Sequence, residues 1–290
     1  MINIIKALRL HQWVKNFLIF IPFVLAHGEI HINILQKLFL GFFSFSLCAS
    51  GIYIVNDLFD LKNDQKHFTK KYRPLPSGAI SVHAGIAIAV ILISASFFLA
   101  PKLEGDNNFL LFLIGYFLLS FFYSLILKKF ILLDCVILSI LYTLRLFSGG
   151  EIANVKLSFW LINFSIFFFL SLAFVKRYNE ISKKKNKESV LGRGYYGSDK
   201  LLIKICGINA GFMSVLILTL YINGETIVKL YKNPEWMWGS IILILFWINW
   251  LWIKAHRNQI DDDPIIFALK DKTSILTFIL LCVTFLLANN

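Results

Sequence analysis

Long apolar runs separated by short polar links organise the chain. Runs near the roughly 20 residues that one helical bilayer crossing requires lie at about 13–28, 35–56, 79–100, 109–127, 131–149, 157–175, 201–222, 237–254 and 273–289. They predict about nine transmembrane helices, the first of them short and carrying Lys15, Asn16 and Pro22. No heptad, low-complexity tract or strand pattern competes. The chain therefore reads as an all-α integral membrane protein, one domain over 1–290.

The polar links carry an orientation. With the N-terminus in the cytoplasm, one side collects Lys6, Arg9, Lys15, the Lys62–Arg73 cluster, Lys128, Lys129, the Lys176–Lys204 group, Lys254, Arg257, Lys270 and Lys272. The other side has only Lys37, Lys102, Lys156, Lys229 and Lys232. That asymmetry follows the positive-inside rule and supports both the helix count and the orientation. The expected location is a bacterial inner membrane, crossed several times. Trp236, Trp238, Trp247, Trp250 and Trp252 flank or enter the eighth run and read as interfacial anchors and packing.

Composition agrees. Of 290 residues 58% are hydrophobic and 16% charged, which excludes an ordinary soluble domain. The net charge of +12 sits in clusters between apolar runs, a pattern for anionic lipid or a phosphorylated substrate rather than nucleic acid. Cys48, Cys135, Cys206 and Cys282 are scattered singly and read as packing residues. The opening MINIIKALRLHQWVKN lacks the order of a cleaved signal peptide and reads as an interfacial helix.

The chemistry concentrates in Asn56–Gly78, NDLFDLKNDQKHFTKKYRPLPSG, directly after the second run. Spacings of three and four residues place Asp57, Asp60 and Asp64 on one helix face, where like charges repel unless a cation sits among them. A divalent metal answers that need. Mg²⁺ bound through one or two carboxylates, with water and phosphate completing its shell, suits this donor set. His67, one turn beyond Asp64, is placed to join.

Further polar clusters follow on the same side: Tyr123–Lys129 (YSLILKK), Asp134 and Arg145, Val175–Glu180 (VKRYNE), and His256–Pro264 (HRNQIDDDP). Acids and bases together suit a metal-bound phosphate or diphosphate. Arg145 either neutralises Asp134 or another carboxylate, or lines the site. Lys128 and Lys129 read equally as a topology signal, and Lys183–Lys187 as a solvated loop facing lipid.

Nine runs, the NDxxDxxxD motif after the second, and the polar links together resemble the UbiA superfamily of intramembrane transferases over essentially the whole chain. The resemblance implies helices around a central cavity open to the cytoplasmic side, with Asn56, Asp57, Asp60 and Asp64 binding Mg²⁺ and diphosphate. Typical aromatic prenyltransferases of that family carry a second aspartate-rich motif after the sixth span. Here that place holds KRYNE, Lys176–Glu180, with a single carboxylate. HQWVKN, RPLPSG, YSLILK and KRYNE are closer to the polyprenyl-phosphate phosphoribosyltransferase branch, decaprenyl-phosphate enzymes included.

The implied reaction moves 5-phosphoribosyl from phosphoribosyl diphosphate to a polyprenyl phosphate. The alternative is a prenyltransferase using a prenyl diphosphate and an aromatic acceptor. A lipid or solute transporter is disfavoured because the polar groups gather at one face. VKRYNE, GRGYYGSD and DDDPIIFALKD also resemble the membrane half of chains fused to a haloacid-dehalogenase-like phosphatase. That half is not found in these 290 residues, which implies a separate phosphatase acting on the product. Under this reading Lys70, Arg73, Tyr123 and Lys128 meet phosphate oxygens. Lys176, Arg177 and Glu180 form a second polar wall, where Glu180 meets ribose hydroxyls or a metal. Lys15 and Asn16 meet the lipid phosphate or the donor.

Overall fold

A computed structural model describes residues 2–25, 32–66, 69–100, 108–224, 231–260 and 263–289. Helices α1 (Ile2–Leu8), α2 (Ile21–Leu25), α3 (Ile32–Phe59), α4 (Leu61–Gln65), α5 (Val82–Leu99), α6 (Phe109–Leu125) and α7 (Leu133–Ala153) come first. They are followed by α8 (Phe159–Ser182), α9 (Lys200–Ile222), α10 (Met237–His256), α11 (Pro264–Lys270) and α12 (Lys272–Asn289). Among the described residues there is no strand beyond an isolated bridge, Ser189 to Tyr196.

Among the described residues seven helical stretches are long and apolar enough to cross a membrane. Two of the nine expected runs correspond to shorter apolar helices, Leu10–Leu25 and Phe109–Leu125. The first of these departs from an ordinary α-helix. Leu10–Phe20 is wound as a 3-10 helix, entered through a left-handed Arg9 (φ 51°, ψ 50°). At about 2.0 Å per residue against 1.5 Å, that winding carries a short segment further along its axis than an α-helix would.

The chain forms two compact units. One comprises 1–157 together with 191–194, and the other 158–190 with 195–290. In the first unit α3 packs closely on α5 through small residues. Ser44 Oγ donates to the Ser96 carbonyl at 2.9 Å, so the hydroxyl is satisfied inside an apolar environment. The core gathers Phe45, Cys48, Ile52, Phe109, Leu113 and Ile137 from α3, α6 and α7. In the second unit Ser171 of α8 donates to the Gly207 carbonyl of α9 at 2.7 Å and accepts from the Trp252 indole of α10 at 3.1 Å. Trp252 is buried, in line with the packing role expected for it. Cys48 and Cys135 are buried, whereas Cys282 is exposed and is not the packing residue expected from the sequence.

Local capping explains several helix starts. Ser81 and Ser158 accept from Ala84 and Leu161 backbone N–H groups, and Asp263 accepts from Ile265. Ahead of α12, Asp271 Oδ2 accepts from the Trp250 indole (2.9 Å), the Ser274 N–H (2.9 Å) and the Ser274 hydroxyl (2.8 Å). Burial acts to raise the Asp271 pKa, but the bonds from Trp250 and Ser274 outweigh it and hold it below the usual value. Its stabilising contribution is therefore present above the ordinary carboxylate range and is lost as pH falls through the lowered value. Asp271→Ala should cost about 0.5–2 kcal/mol, read as a lower melting temperature at neutral pH, with the difference from wild type shrinking on acidification.

Candidate active site

The end of α3 builds the site. Helical bonds continue past Phe59, from Asp60 N–H to the Asn56 carbonyl (2.9 Å) and from Asp64 N–H to the Asp60 carbonyl (2.8 Å). Asp57, Asp60 and Asp64 therefore follow successive turns, as the spacing predicts. Asp57 and Asp64 are buried and Asp60 is half-buried. After α4 the chain returns because Leu75 is buried in a cluster with Ile54, Ile80 and Ala89. That anchor sits two residues beyond Arg73 and aims its guanidinium back at the carboxylates.

The cations among the aspartates belong to the chain itself. Arg9 Nη2 donates to both Asp57 oxygens (2.5 and 2.6 Å). Arg73 Nη1 bridges Asp57 Oδ1 (3.2 Å) and Asp64 Oδ2 (2.9 Å), while Lys70 Nζ lies 3.9 Å from Asp64. Lys128 Nζ donates to Asp60 Oδ2 (2.6 Å) and Asn56 Oδ1 (3.1 Å). Burial pushes the Lys128 pKa down, and the bond to Asp60 opposes that shift. Behind it Arg193 Nη1 donates to the Tyr123 hydroxyl at 2.8 Å. The structure thus brings together Asn56, Asp57, Asp60, Asp64, Lys70, Arg73, Tyr123 and Lys128. Three carboxylates meet four cations, so the cluster carries surplus positive charge suited to an anionic ligand.

Sequence reasoning did not place Arg9 or Arg193 in this group. Arg9 counted only as a topology charge, and its partner lies 48 residues away. Arg193 had a signal: it stands between two glycines. Gly192 takes φ +73°, and a Cβ on Gly194 would lie 2.4 Å from the Lys129 carbonyl oxygen. Gly194→Ala should therefore push Arg193 away from Tyr123, lowering turnover about tenfold, as for loss of a charged hydrogen bond, and lowering the melting temperature as well, because the clash is with backbone. A turnover equal to wild type would show that Arg193 is idle.

A second buried cluster lies deeper in the same unit. Arg145 donates from Nε to Asn16 Oδ1 (2.7 Å), from Nη1 to the Leu141 carbonyl (2.5 Å) and from Nη2 to the Tyr116 hydroxyl (3.0 Å). Asn16 in turn donates to Ser46 Oγ at 2.9 Å. Arg145 does not bond Asp134, which stands three turns away in the first turn of α7. Neutral acceptors and the faces of Tyr116 and Tyr142 surround its guanidinium instead. Lys15 Nζ lies 5.8 Å from the centre of the Tyr142 ring. Asn16 and Arg145 thus share one hydrogen-bonded group, and Lys15 and Arg145 lie against the same Tyr142 ring.

Lys176, Arg177 and Glu180 belong to the second unit, on the last turns of α8. Arg177 is fully buried, pairs with Glu180 and stacks over the Tyr195 ring (5.3 Å). His67, Asp261 and Asp262 lie outside the described residues.

Among the described residues no three His, Cys, Asp or Glu side chains converge as a finished metal cage. Carboxylate oxygens on Asp57, Asp60 and Asp64 are nonetheless the hard donors Mg²⁺ takes. Mg²⁺ commonly uses only one or two protein carboxylates and completes its shell with water and phosphate. The donor set fits an ion that arrives with a phosphorylated substrate. Binding would then exchange the internal pairs: carboxylates to metal, Arg and Lys to phosphate.

The model of the UbiA prenyltransferase family matches residues 17–269, across both units. The chain belongs to that family. This UbiA-family chain is 36% identical over 287 residues to the y4nM protein of Sinorhizobium fredii, covering 98% of this chain and 55% of y4nM. It therefore spans about half the length of that relative. It is 31% identical to the nodulation protein NoeC of Azorhizobium caulinodans, over 93% of this chain and 88% of NoeC. Identity is 35% to the decaprenyl-phosphate phosphoribosyltransferase of Corynebacterium glutamicum, over 62% of this chain and 54% of that one. The fold matches a UbiA homologue from Archaeoglobus fulgidus, solved with GPP and Mg²⁺, at TM-score 0.72 and 16% identity, covering 97% of this chain and 99% of that one.

Proposed function

We propose that the chain transfers 5-phosphoribosyl from phosphoribosyl diphosphate to a polyprenyl phosphate, with release of diphosphate. The observation that carries this reading is the pairing of Glu180 with Arg177. The wall that would hold a second set of metal-binding carboxylates in a prenyltransferase offers one acid, already neutralised, beside the cations Lys176 and Arg177. Likeness to the phosphoribosyltransferase of C. glutamicum supports the same branch.

In the reaction the bond from ribose C1 to the diphosphate oxygen breaks, and its electron pair leaves with diphosphate. An oxygen of the lipid phosphate bonds C1 in its place. The acceptor is already an anion, so no general base is needed. Asp57, Asp60 and Asp64 would hold Mg²⁺, which supplies charge neutralisation on the leaving diphosphate. Its presence in the A. fulgidus homologue supports this assignment. Arg9, Lys70, Arg73, Lys128 and Arg193 place positive charge and donors around the phosphate oxygens. Asn56 and Tyr123 orient Lys128 and Arg193. Lys15, Asn16 and Arg145 hold the lipid phosphate or the donor, and Lys176, Arg177 and Glu180 recognise phosphate and ribose. The site faces the cytoplasm, and a separate phosphatase acts on the phosphorylated product.

The test incubates purified protein and Mg²⁺ with phosphoribosyl diphosphate plus polyprenyl phosphate, or with polyprenyl diphosphate plus an aromatic acid, and weighs the lipid product. A phosphoribosylated lipid is expected from the first pair. Product from the second pair alone would establish the prenyltransferase reading instead.

A further inference from the structure

The second unit has a cleft of about 270 Å³ that the transferase chemistry does not use, lined by Tyr178, Asn186, Ser198, Lys200, Lys204 and His256 among others. Its walls are built rather than incidental. Gly197 N–H donates to the Glu188 carbonyl and Ser198 N–H to the Asn186 carbonyl, both at 3.0 Å, which fixes the loop at the head of α9. Tyr178 is buried, its hydroxyl lies 3.1 Å from His256 Nδ1, and Lys200 Nζ stands 5.4 Å from the centre of its ring. Lys200 and Lys204 are one turn apart on α9 and share a face.

Among the described residues the cleft's positive charge has no salt-bridged counterion: neither lysine makes a salt bridge. The adjoining carboxylate, Asp199, is held by its own loop, where Oδ2 accepts the Tyr196 N–H at 2.8 Å and Oδ1 accepts from the Ser198 hydroxyl at 3.5 Å. An anion is the complementary occupant. Apolar surface begins at once beside it: Leu201, Leu202 and Ile205 are exposed on the same helix, within a stretch apolar enough to span a bilayer. A ligand with a phosphate at one end and hydrocarbon at the other satisfies both surfaces.

We propose that this cleft binds the headgroup phosphate of an anionic phospholipid. Lys200 and Lys204 take the phosphate oxygens, the Asn186 side chain donates a hydrogen bond, and the acyl chains run along Leu201, Leu202 and Ile205. This binding involves no bond-making and stands whether or not the transferase reading does.

The experiment uses the full chain purified in detergent and titrated with phosphatidylglycerol, phosphatidylcholine, inorganic phosphate or polyprenyl phosphate, with bound lipid counted by native mass spectrometry. Phosphatidylglycerol is expected to bind in preference to phosphatidylcholine. The double variant Lys200→Gln/Lys204→Gln should weaken it about thirtyfold, from two lysines each facing an anionic headgroup. Lys200→Arg/Lys204→Arg should retain binding, as should Lys184→Gln/Lys187→Gln, which removes exposed charge outside the cleft. Equal binding of phosphatidylcholine, or an unchanged affinity in a folded Lys200→Gln/Lys204→Gln protein, would overturn the proposal. So would displacement of the phospholipid by inorganic phosphate at comparable affinity, which would assign the cleft to a free anion. Preferential loss of polyprenyl phosphate in the double variant would assign it to the substrate.

Discussion

Replacing Asp60 with asparagine is expected to lower diphosphate release by roughly 10²–10³-fold, the range for losing one electrostatic contact to a transition state, while leaving the amount of folded protein unchanged. The structure singles out this aspartate. Its side chain is 24% exposed, against 4% for Asp57 and 5% for Asp64, and it caps α4 without a side-chain bond to the backbone. Asparagine keeps its shape and its acceptor toward Lys128, so charge is what the substitution removes. Asp57→Asn is a poorer probe. Asp57 takes Arg9 on both oxygens and Arg73 on one, in a nearly closed environment. Breaking a buried pair costs about 3–5 kcal/mol, so that variant should lose folded protein and turnover together. Size-exclusion profiles in detergent, taken beside diphosphate release, separate the two outcomes. Full turnover in folded Asp60→Asn protein would end the assignment of these aspartates to the reaction.

Gly149→Ala should unsettle the first unit by about 3 kcal/mol, the upper end for overpacking, although alanine is the better helix former. A Cβ at position 149 would lie 1.9 Å from the Ile19 carbonyl oxygen and 2.7 Å from its carbon. These are backbone atoms, so no side chain can turn aside. The 3-10 segment Leu10–Phe20 would have to move off α7, taking Asn16 away from Arg145 and Ser46. Arg145 would then lose one of its three hydrogen-bond partners inside an apolar environment, adding the cost of an unsatisfied buried donor. Gly115→Ala is the control, since nothing lies within 4 Å of a Cβ there. Thermal unfolding in detergent should show a large drop for the first variant and little change for the second. Equal melting temperatures would show that the two helices are not held in contact through Gly149.

Both predictions rest on contacts that periodicity does not reveal. The repulsion among Asp57, Asp60 and Asp64 was legible, because it depends only on spacing along one helix. The answer to it was not. Arg9 is 48 residues from Asp57, and Lys128 is 68 from Asp60. Nothing in a local pattern states which distant cation will fold onto a given carboxylate. The need for positive charge pointed to a metal, and the folded chain meets it with its own side chains, Arg9, Arg73 and Lys128. Arg145 shows the same limit: as an intramembrane cation it was expected to neutralise Asp134 or another carboxylate, or to line the site, and nothing local in the sequence names Asn16, 129 residues away, as the acceptor of its Nε–H.

The sequence by itself determined the class, the helical runs and the place of the aspartate motif. Hydrophobic length, helical spacing and charge asymmetry are properties of consecutive residues, and a bilayer leaves a polypeptide few other ways to satisfy its backbone. Only the tertiary structure decided which cation meets which acid, how closely α7 approaches Leu10–Phe20, and that Arg9 and Arg193 join the aspartate cluster. Those outcomes depend on helix packing and on a left-handed turn at Arg9, where small differences in close contact select one arrangement among many that the same apolar pattern permits.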